Sequence, residues 1–199
     1  MSDVEKLKAV KKLLEKHKIK YWLDYGTLLS IVRDGELLKW ETDFDIGIYD
    51  HDLVHLLALQ NEFKKLGYKI GYIPGRDNFQ LISNDGIMID FSIYHLIDNK
   101  SVRYFHYHKR SILGRFLDVF LTKMFRIYEK FGCQMLMSSV DHNFFDNLDK
   151  IQYLNEKWPI PSDVEKYLFC HFGKTWRTPI KDYDYVKDDK TITKKSEER

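Results

Sequence analysis

Two acids one residue apart open the chemical reading: Asp43 and Asp45 flank Phe44 in the stretch Asp43-Phe44-Asp45-Ile46-Gly47. In an extended strand, residues i and i+2 point to the same face. Both carboxylates can therefore meet at one divalent cation, while Phe44 and Ile46 face the other way into a core. A third acid, Asp90, stands inside the apolar run Ile87-Met88-Ile89-Asp90-Phe91-Ser92-Ile93. Burying a carboxylate there is costly unless it is paired, so Asp90 is expected to meet a metal or a cation. The plainer reading of Asp90 is a structural salt bridge, and an isolated Asp-x-Asp is often a solvated edge strand. Upstream, Gly26-Thr27 reads as a tight turn that lets backbone approach a phosphate. With that turn at this distance, the three acids point to metal-assisted transfer onto or from a phosphate. His106 and His108 would share a strand face too, but no third ligand lies near them. They read as a polar strand face, or at most one wall of an acceptor site.

The elements that must position these residues are legible in part. Ser2 and Glu5 form a capping-box pattern, and Leu7, Val10, Leu13 and Leu14 recur at helical spacing over 3–17. A first strand is expected over Lys20–Asp24, broken at Gly26, with a short helix from Thr27 to Arg33 whose N-terminus favours an anion. Asp34-Gly35 reads as a turn. Phe44, Ile46 and Ile48 alternate with Asp43, Asp45 and Gly47, a period-2 strand that Trp40 is expected to cover. A helix capped by Asp50-His51-Asp52 should end at Gly67. Tyr68–Tyr72, Phe79–Ser83 and Ile87–Tyr94 read as strands, the last two as a hairpin, with turns at Pro74-Gly75 and Asn84-Asp85-Gly86.

The second half is harder to read. Ile112–Phe131 is a basic amphipathic segment. It fits either a helix lying on anionic lipid or one packed on the sheet with a solvated basic face. Asp118 and Glu129 interrupt the basic side and favour the packed helix. Gly132–Val140 fits a continued helix or a loop, Phe144–Leu154 a short helix, and Trp158-Pro159-Ile160-Pro161 a rigid connection. Ser162 and Glu165 suggest a capping box for a helix ending at Gly173.

The chain has 199 residues, enough for one domain. That domain is expected over 1–181, because from about Asp182 the composition turns polar and predicts a disordered tail over 182–199. A net charge of +2 gives no global field for nucleic acid, so nucleic-acid binding is disfavoured. The 2 cysteines, Cys133 and Cys170, form no CxxC pair and suit a reducing compartment. The charged start lacks a signal-peptide core, and no apolar run approaches the roughly 20 residues that span a bilayer. The expectation is a soluble, cytoplasmic protein.

The segment Trp22-Leu23-Asp24-Tyr25-Gly26-Thr27-Leu28-Leu29-Ser30-Ile31-Val32-Arg33, followed by Trp40-Glu41-Thr42-Asp43-Phe44-Asp45-Ile46, resembles the LicD family of phosphocholine transferases, relatives of fukutin and fukutin-related protein. The ending is similar as well, through Ile160-Pro161-Ser162-Asp163, Phe172-Gly173 and Trp176-Arg177-Thr178-Pro179. Ser30 stands where the pattern has glycine, and Glu41-Thr42 where it has Asp-Asp. The resemblance implies an α+β fold, a nucleotidyltransferase-type mixed β-sheet with packed helices. It implies Mg²⁺ or Mn²⁺ on Asp43, Asp45 and Asp90, and donor-phosphate contacts from Gly26, Thr27 and Arg33. Trp176 should pack beside the active site, with Arg177 a candidate anion ligand. The donor would be a CDP-activated alcohol such as CDP-choline, CDP-ribitol or CDP-glycerol, and the acceptor a glycan hydroxyl. Two other readings fit the same residues. One is a nucleotidyltransferase that uses an NTP; the other is a catalytically silent binding protein, motivated by Ser30 and Glu41-Thr42.

Overall fold

A computed structural model of the chain describes residues 2–37, 43–72, 77–83, 86–108, 133–180 and 183–194, with backbone alone at 106–108, 133–135 and 194. Trp40, Glu41-Thr42, Pro74-Gly75, Asn84-Asp85 and the amphipathic segment 112–131 lie outside the described residues.

Helix α1 (Asp3–Lys16) begins as its capping box dictates: Ser2 N–H donates to Glu5 Oε2 at 2.7 Å and Glu5 N–H to Ser2 Oγ at 3.3 Å. Leu7, Val10 and Leu14 form its buried stripe. Strand β1 (Tyr21–Leu23) leads into α2 (Tyr25–Asp34), which ends where Gly35 takes a left-handed φ of 79°. Strand β2 (Asp43–Tyr49) follows, then a 3₁₀ turn over Asp50–Asp52 and two short helices, α3 (Leu53–Ala58) and α4 (Gln60–Lys65). The single helix expected there is thus broken at Leu59, and no side-chain cap forms on the 3₁₀ turn or on α3.

Strands β3 (Lys69–Tyr72), β4 (Asn78–Ile82) and β5 (Met88–Ile97) match the three expected strands, with β4 and β5 antiparallel. Then come β6 (Lys100–His108) and β7 (Cys133–Asp141). Residues 133–141 are therefore strand rather than helix or loop. The alternation that decides this lies in buried Leu136, Ser138 and Val140, which face the interior while their neighbours do not. Residues 144–154 split into a one-turn helix α5 (Asn143–Asp146) and strand β8 (Asp149–Tyr153). The Trp158-Pro159 region is strand β9 (Glu156–Ile160), joined to β8 by Leu154-Asn155 at φ 54° and 60°. Those two positive φ values make the tight hairpin turn that matches strand twist.

The last main helix, α6 (Val164–Phe172), has no side-chain cap; Ser162 Oγ instead donates to the carbonyls of Asn143 and Phe144, at 3.2 Å each. The tail expected to be disordered is also ordered over 183–194. It forms α7 (Tyr185–Asp188) and β10 (Ile192–Lys194), and β10 pairs antiparallel with β7. Polar composition misleads here because Asp189 and Thr191 are buried as hydrogen-bond partners of His171 and Ser138, rather than as core.

The sheet runs β1-β2-β5-β6-β7-β10, with β4 and β3 branching from β5. Strand β2 is parallel to β5, whereas its other neighbour β1 is antiparallel. The sheet is mixed and helices pack on it, so the fold is of the α+β class. Trp22, fully buried, anchors the core by stacking on Phe145 at 4.2 Å between ring centroids. No helix among the described residues is long and apolar enough to cross a membrane.

Candidate active site

The carboxylates come together through strand register. Because β2 and β5 are parallel, Asp45 pairs with Asp90 across the ladder, on strands separated by about 4.8 Å. Asp43 lies two residues before Asp45 and so on the same face. Phe44 and Ile46, between and after them, are buried on the other. The three carboxylates offer oxygens that all lie within 4.8 Å of one another.

Two neighbours hold the acids in place. Thr27 N–H donates to Asp45 Oδ2 at 3.2 Å, and Asp45 N–H donates back to Thr27 Oγ1 at 2.8 Å. Asn78 on β4 donates from Nδ2 to Asp90 Oδ1 at 3.1 Å. Burial is the main force raising the Asp45 carboxyl well above its ordinary range, and Asp43, Asp24 and Asp90 add repulsion against the Thr27 hydrogen bond. Asp43 is raised as well, by burial and then by Asp90. Acids placed so close resist ionising together, and a divalent cation would relieve them. Oxygen-only donors are what Mg²⁺ and Mn²⁺ take, so the residues present fit such an ion.

Thr27 reaches Asp45 in a way the sequence did not anticipate. Gly26-Thr27 is not a turn after a longer strand. Helix α2 starts at Tyr25, two residues before the expected Thr27, with Asp24 as its N-cap, and the left-handed backbone falls on Tyr25 at φ 39°. That region is strained for any residue with a side chain. Asp24 holds it there: Oδ1 accepts from Tyr25 N–H at 2.9 Å and from the Tyr167 hydroxyl at 2.6 Å, and Oδ2 from the Tyr94 hydroxyl at 2.8 Å. Asp24 N–H also donates to the Asp45 carbonyl at 3.2 Å. This fully buried carboxylate thus joins β1, α2, β5 and α6 behind the acids. An aspartate directly before a helix is an N-cap signal, and reading it as the end of a strand hid it. Burial is the first cause raising the Tyr94 and Tyr167 phenols, followed by Asp24.

Arg33 is not gathered with the acids. It lies six residues beyond Thr27, about 9 Å along the helix axis. Its guanidinium pairs with the adjacent Asp34, Nη2 to Oδ2 at 2.7 Å. Ser30 is buried and absorbed by α2 itself, its Oγ donating to the Gly26 carbonyl at 2.8 Å. A hydroxyl at that position therefore satisfies itself by back-bonding within the helix. Trp176 is buried in the core, but Arg177 is exposed, pairs with Glu165 and lies over the Trp176 ring at 4.2 Å. Residues 106 and 108 do fall on strand β6.

Residues 18–163 match the family model described as LicD/FKTN/FKRP, nucleotidyltransferase domain. The human protein named ribitol-5-phosphate transferase FKTN is 22% identical over 187 residues, covering 92% of this chain and 35% of that protein. An uncharacterised protein of Rickettsia prowazekii is 39% identical over 72 residues, 36% of this chain and 27% of its own length. Matched segments thus amount to about a third or less of these relatives. Among solved structures, the lincomycin-bound lincosamide antibiotic adenylyltransferase LnuA is similar with a TM-score of 0.47 and 17% identity, covering 83% of this chain and 84% of that one. The matched span contains β1, α2 and all three acids, and it takes in well over half of the sequence: the chain belongs to the LicD/FKTN/FKRP nucleotidyltransferase-domain family.

Proposed function

We propose that this domain is a metal-dependent transferase that moves a phospho-alcohol from a CDP-activated donor to a hydroxyl of a glycan. The observation that supports it most is the parallel register of Asp45 with Asp90, which with Asp43 sets three carboxylates around one point. Phosphoryl transfer needs positioning and charge neutralisation more than covalent help, and a bound Mg²⁺ or Mn²⁺ supplies that neutralisation.

The chain's own residues have separate tasks. Asp43 and Asp45 would hold the ion, with Asp90 either as a further ligand or as the general base. Thr27 fixes the rotamer of Asp45, and Asn78 that of Asp90. The first turn of α2, with Gly26 and Thr27, presents the positive end of a helix dipole, which favours the donor phosphates. Arg33 would serve those phosphates only by exchanging Asp34 for them. In the reaction the acceptor oxygen bonds to phosphorus and the bond to the CMP oxygen breaks. As the general base, Asp90, whose Oδ1 accepts from Asn78, would take the acceptor's proton. General-base assistance of this kind contributes typically ~10²–10⁴-fold.

A screen of CTP, CDP-choline, CDP-ribitol, CDP-glycerol and ATP, with and without Mg²⁺ or Mn²⁺, tests this reading. A metal-dependent melting shift with one CDP-alcohol, CMP release with a glycan acceptor, and loss of both in Asp43→Asn are expected. Pyrophosphate release from an NTP would instead identify a nucleotidyltransferase, which the same carboxylates could serve. Donor binding without any turnover would leave a silent binding protein.

A further inference from the structure

Next to the first turn of α2, polar atoms are sealed from solvent without hydrogen-bond partners: Tyr25 Oη, Arg103 Nε, His171 Nε2 and Tyr183 Oη. They belong to one cluster. The Arg103 guanidinium lies 5.1 Å from the centroid of the Tyr25 ring. The Tyr25 and His171 rings are 5.2 Å apart. Tyr183 packs on Phe172, the neighbour of His171, at 5.4 Å.

The cluster carries a cation that makes no ion pair among the described residues. Neither nearby carboxylate serves Arg103. Both Asp24 oxygens are taken by Tyr25 N–H, Tyr167 and Tyr94. Asp189 accepts from His171 at 3.0 Å, and from the N–H and hydroxyl of Thr191 at 2.8 and 2.7 Å. Among the described residues Arg103 has no ion pair, and its Nε is unsatisfied; its close contacts are the rings of Tyr25 and Phe105, and the nearby Tyr25 phenol and Asp24 favour its charge. Since Asp189 accepts, His171 carries its proton on Nδ1, and Nε2 is left free. Buried polar groups are nearly always satisfied, and exceptions call for a reason. Two sealed phenol hydroxyls beside a guanidinium without an ion pair describe a complement to an oxyanion.

We propose that Arg103, with Tyr25 and Tyr183, binds a phosphate of the nucleotide donor. This rests on the transferase reading above. Tyr25 opens α2, the same helix whose Thr27 holds Asp45, and Asp24, which caps that helix, donates its N–H to the Asp45 carbonyl, so the cluster and the carboxylate site share one helix start. Arg103, rather than Arg33, is then the cation that awaits the donor: Arg33 already pairs with Asp34, whereas no carboxylate among the described residues pairs with Arg103. Tyr183 forms one wall of the cluster and must shift to admit the anion.

Calorimetric titration of the full chain with CDP, inorganic pyrophosphate and ribitol 5-phosphate, for wild type, Arg103→Met and Arg103→Lys, tests the site. Loss of one charge-assisted hydrogen bond should weaken CDP binding about 10–100-fold in Arg103→Met, with partial recovery in Arg103→Lys. Mn²⁺ affinity should not change, because the carboxylates are untouched. Without ligand, Arg103→Met should melt at or above wild type, since no ion pair is broken. CDP affinity equal to wild type in Arg103→Met overturns the proposal. So does Arg103-dependent binding of ribitol 5-phosphate alone, which would assign the anion to another substrate. If no CDP-alcohol is turned over yet CDP and pyrophosphate binding depend on Arg103, the transferase reading falls and the anion site stands. Turnover unaffected by Arg103→Met has the opposite meaning.

Discussion

Replacing Asp45 with asparagine separates the site's role from its cost. In the metal-free protein, Asp45 faces two other carboxylates within 4.8 Å. At an effective dielectric of ~20, one such pair of full charges repels by about 3 kcal/mol. The raised carboxyl of Asp45 relieves part of this by holding a proton, so the net penalty at neutral pH is taken as about 1–3 kcal/mol. Asparagine keeps a carbonyl oxygen to accept from Thr27 N–H, so the geometry survives. Apo Asp45→Asn should therefore melt roughly 2–12 °C above the wild type. The sign with pH is fixed as well. An acid whose folded pKa is raised costs stability as pH rises from its unfolded value toward its folded one. The gain should thus be small near pH 4 and grow toward neutrality. Adding Mg²⁺ or Mn²⁺ should stabilise the wild type by mass action and leave the mutant nearly unmoved. Differential scanning calorimetry across pH, with and without the ion, measures all of this. An apo mutant less stable than wild type that keeps the full metal shift would refute the reasoning, because the acids would then be neither repelling nor ligating.

Gly47→Ala should destabilise the domain by about 1–3 kcal/mol or more, because the new Cβ would overlap the indole of Trp22, itself fixed against Phe145; urea unfolding reads this as a lower midpoint. Tyr167→Phe leaves Asp24 Oδ1 with only the Tyr25 N–H, which should cost about 1–3 kcal/mol. It should also weaken Mn²⁺ binding, since α2 positions Thr27, and a titration followed by electron paramagnetic resonance checks it. His95 bridges Asp77 and Asp50; burial opposes its charge, but those two carboxylates outweigh it and raise its pKa. Its stabilising contribution is complete below the unfolded value and is lost as pH rises through the folded one. The stability difference between wild type and His95→Gln should accordingly shrink from pH 6 upward in denaturant titrations.

The carboxylate pair and its partner strand were legible because their signals are local. Period-2 alternation put Asp43 and Asp45 on one face, and an acid within an apolar run marked Asp90. The capping box of α1, the glycine stop of α2 and the β4-β5 hairpin are likewise nearest-neighbour effects written in a few adjacent residues. What stayed hidden depends on contacts between distant segments. Asp24 looks like a strand end until Tyr94 and Tyr167 arrive from 70 and 143 residues away to bind it. Arg103 carries no motif at all, and its place over the Tyr25 ring exists only once β6 lies against α2. The polar tail was read as disordered because composition reports apolar burial. Here β10 gains order from main-chain pairing with β7, and Asp189 from His171. The residues chose the chemistry available. The parallel register of β2 and β5 decided that three separate acids would share one point, because register sets distance and no local propensity can.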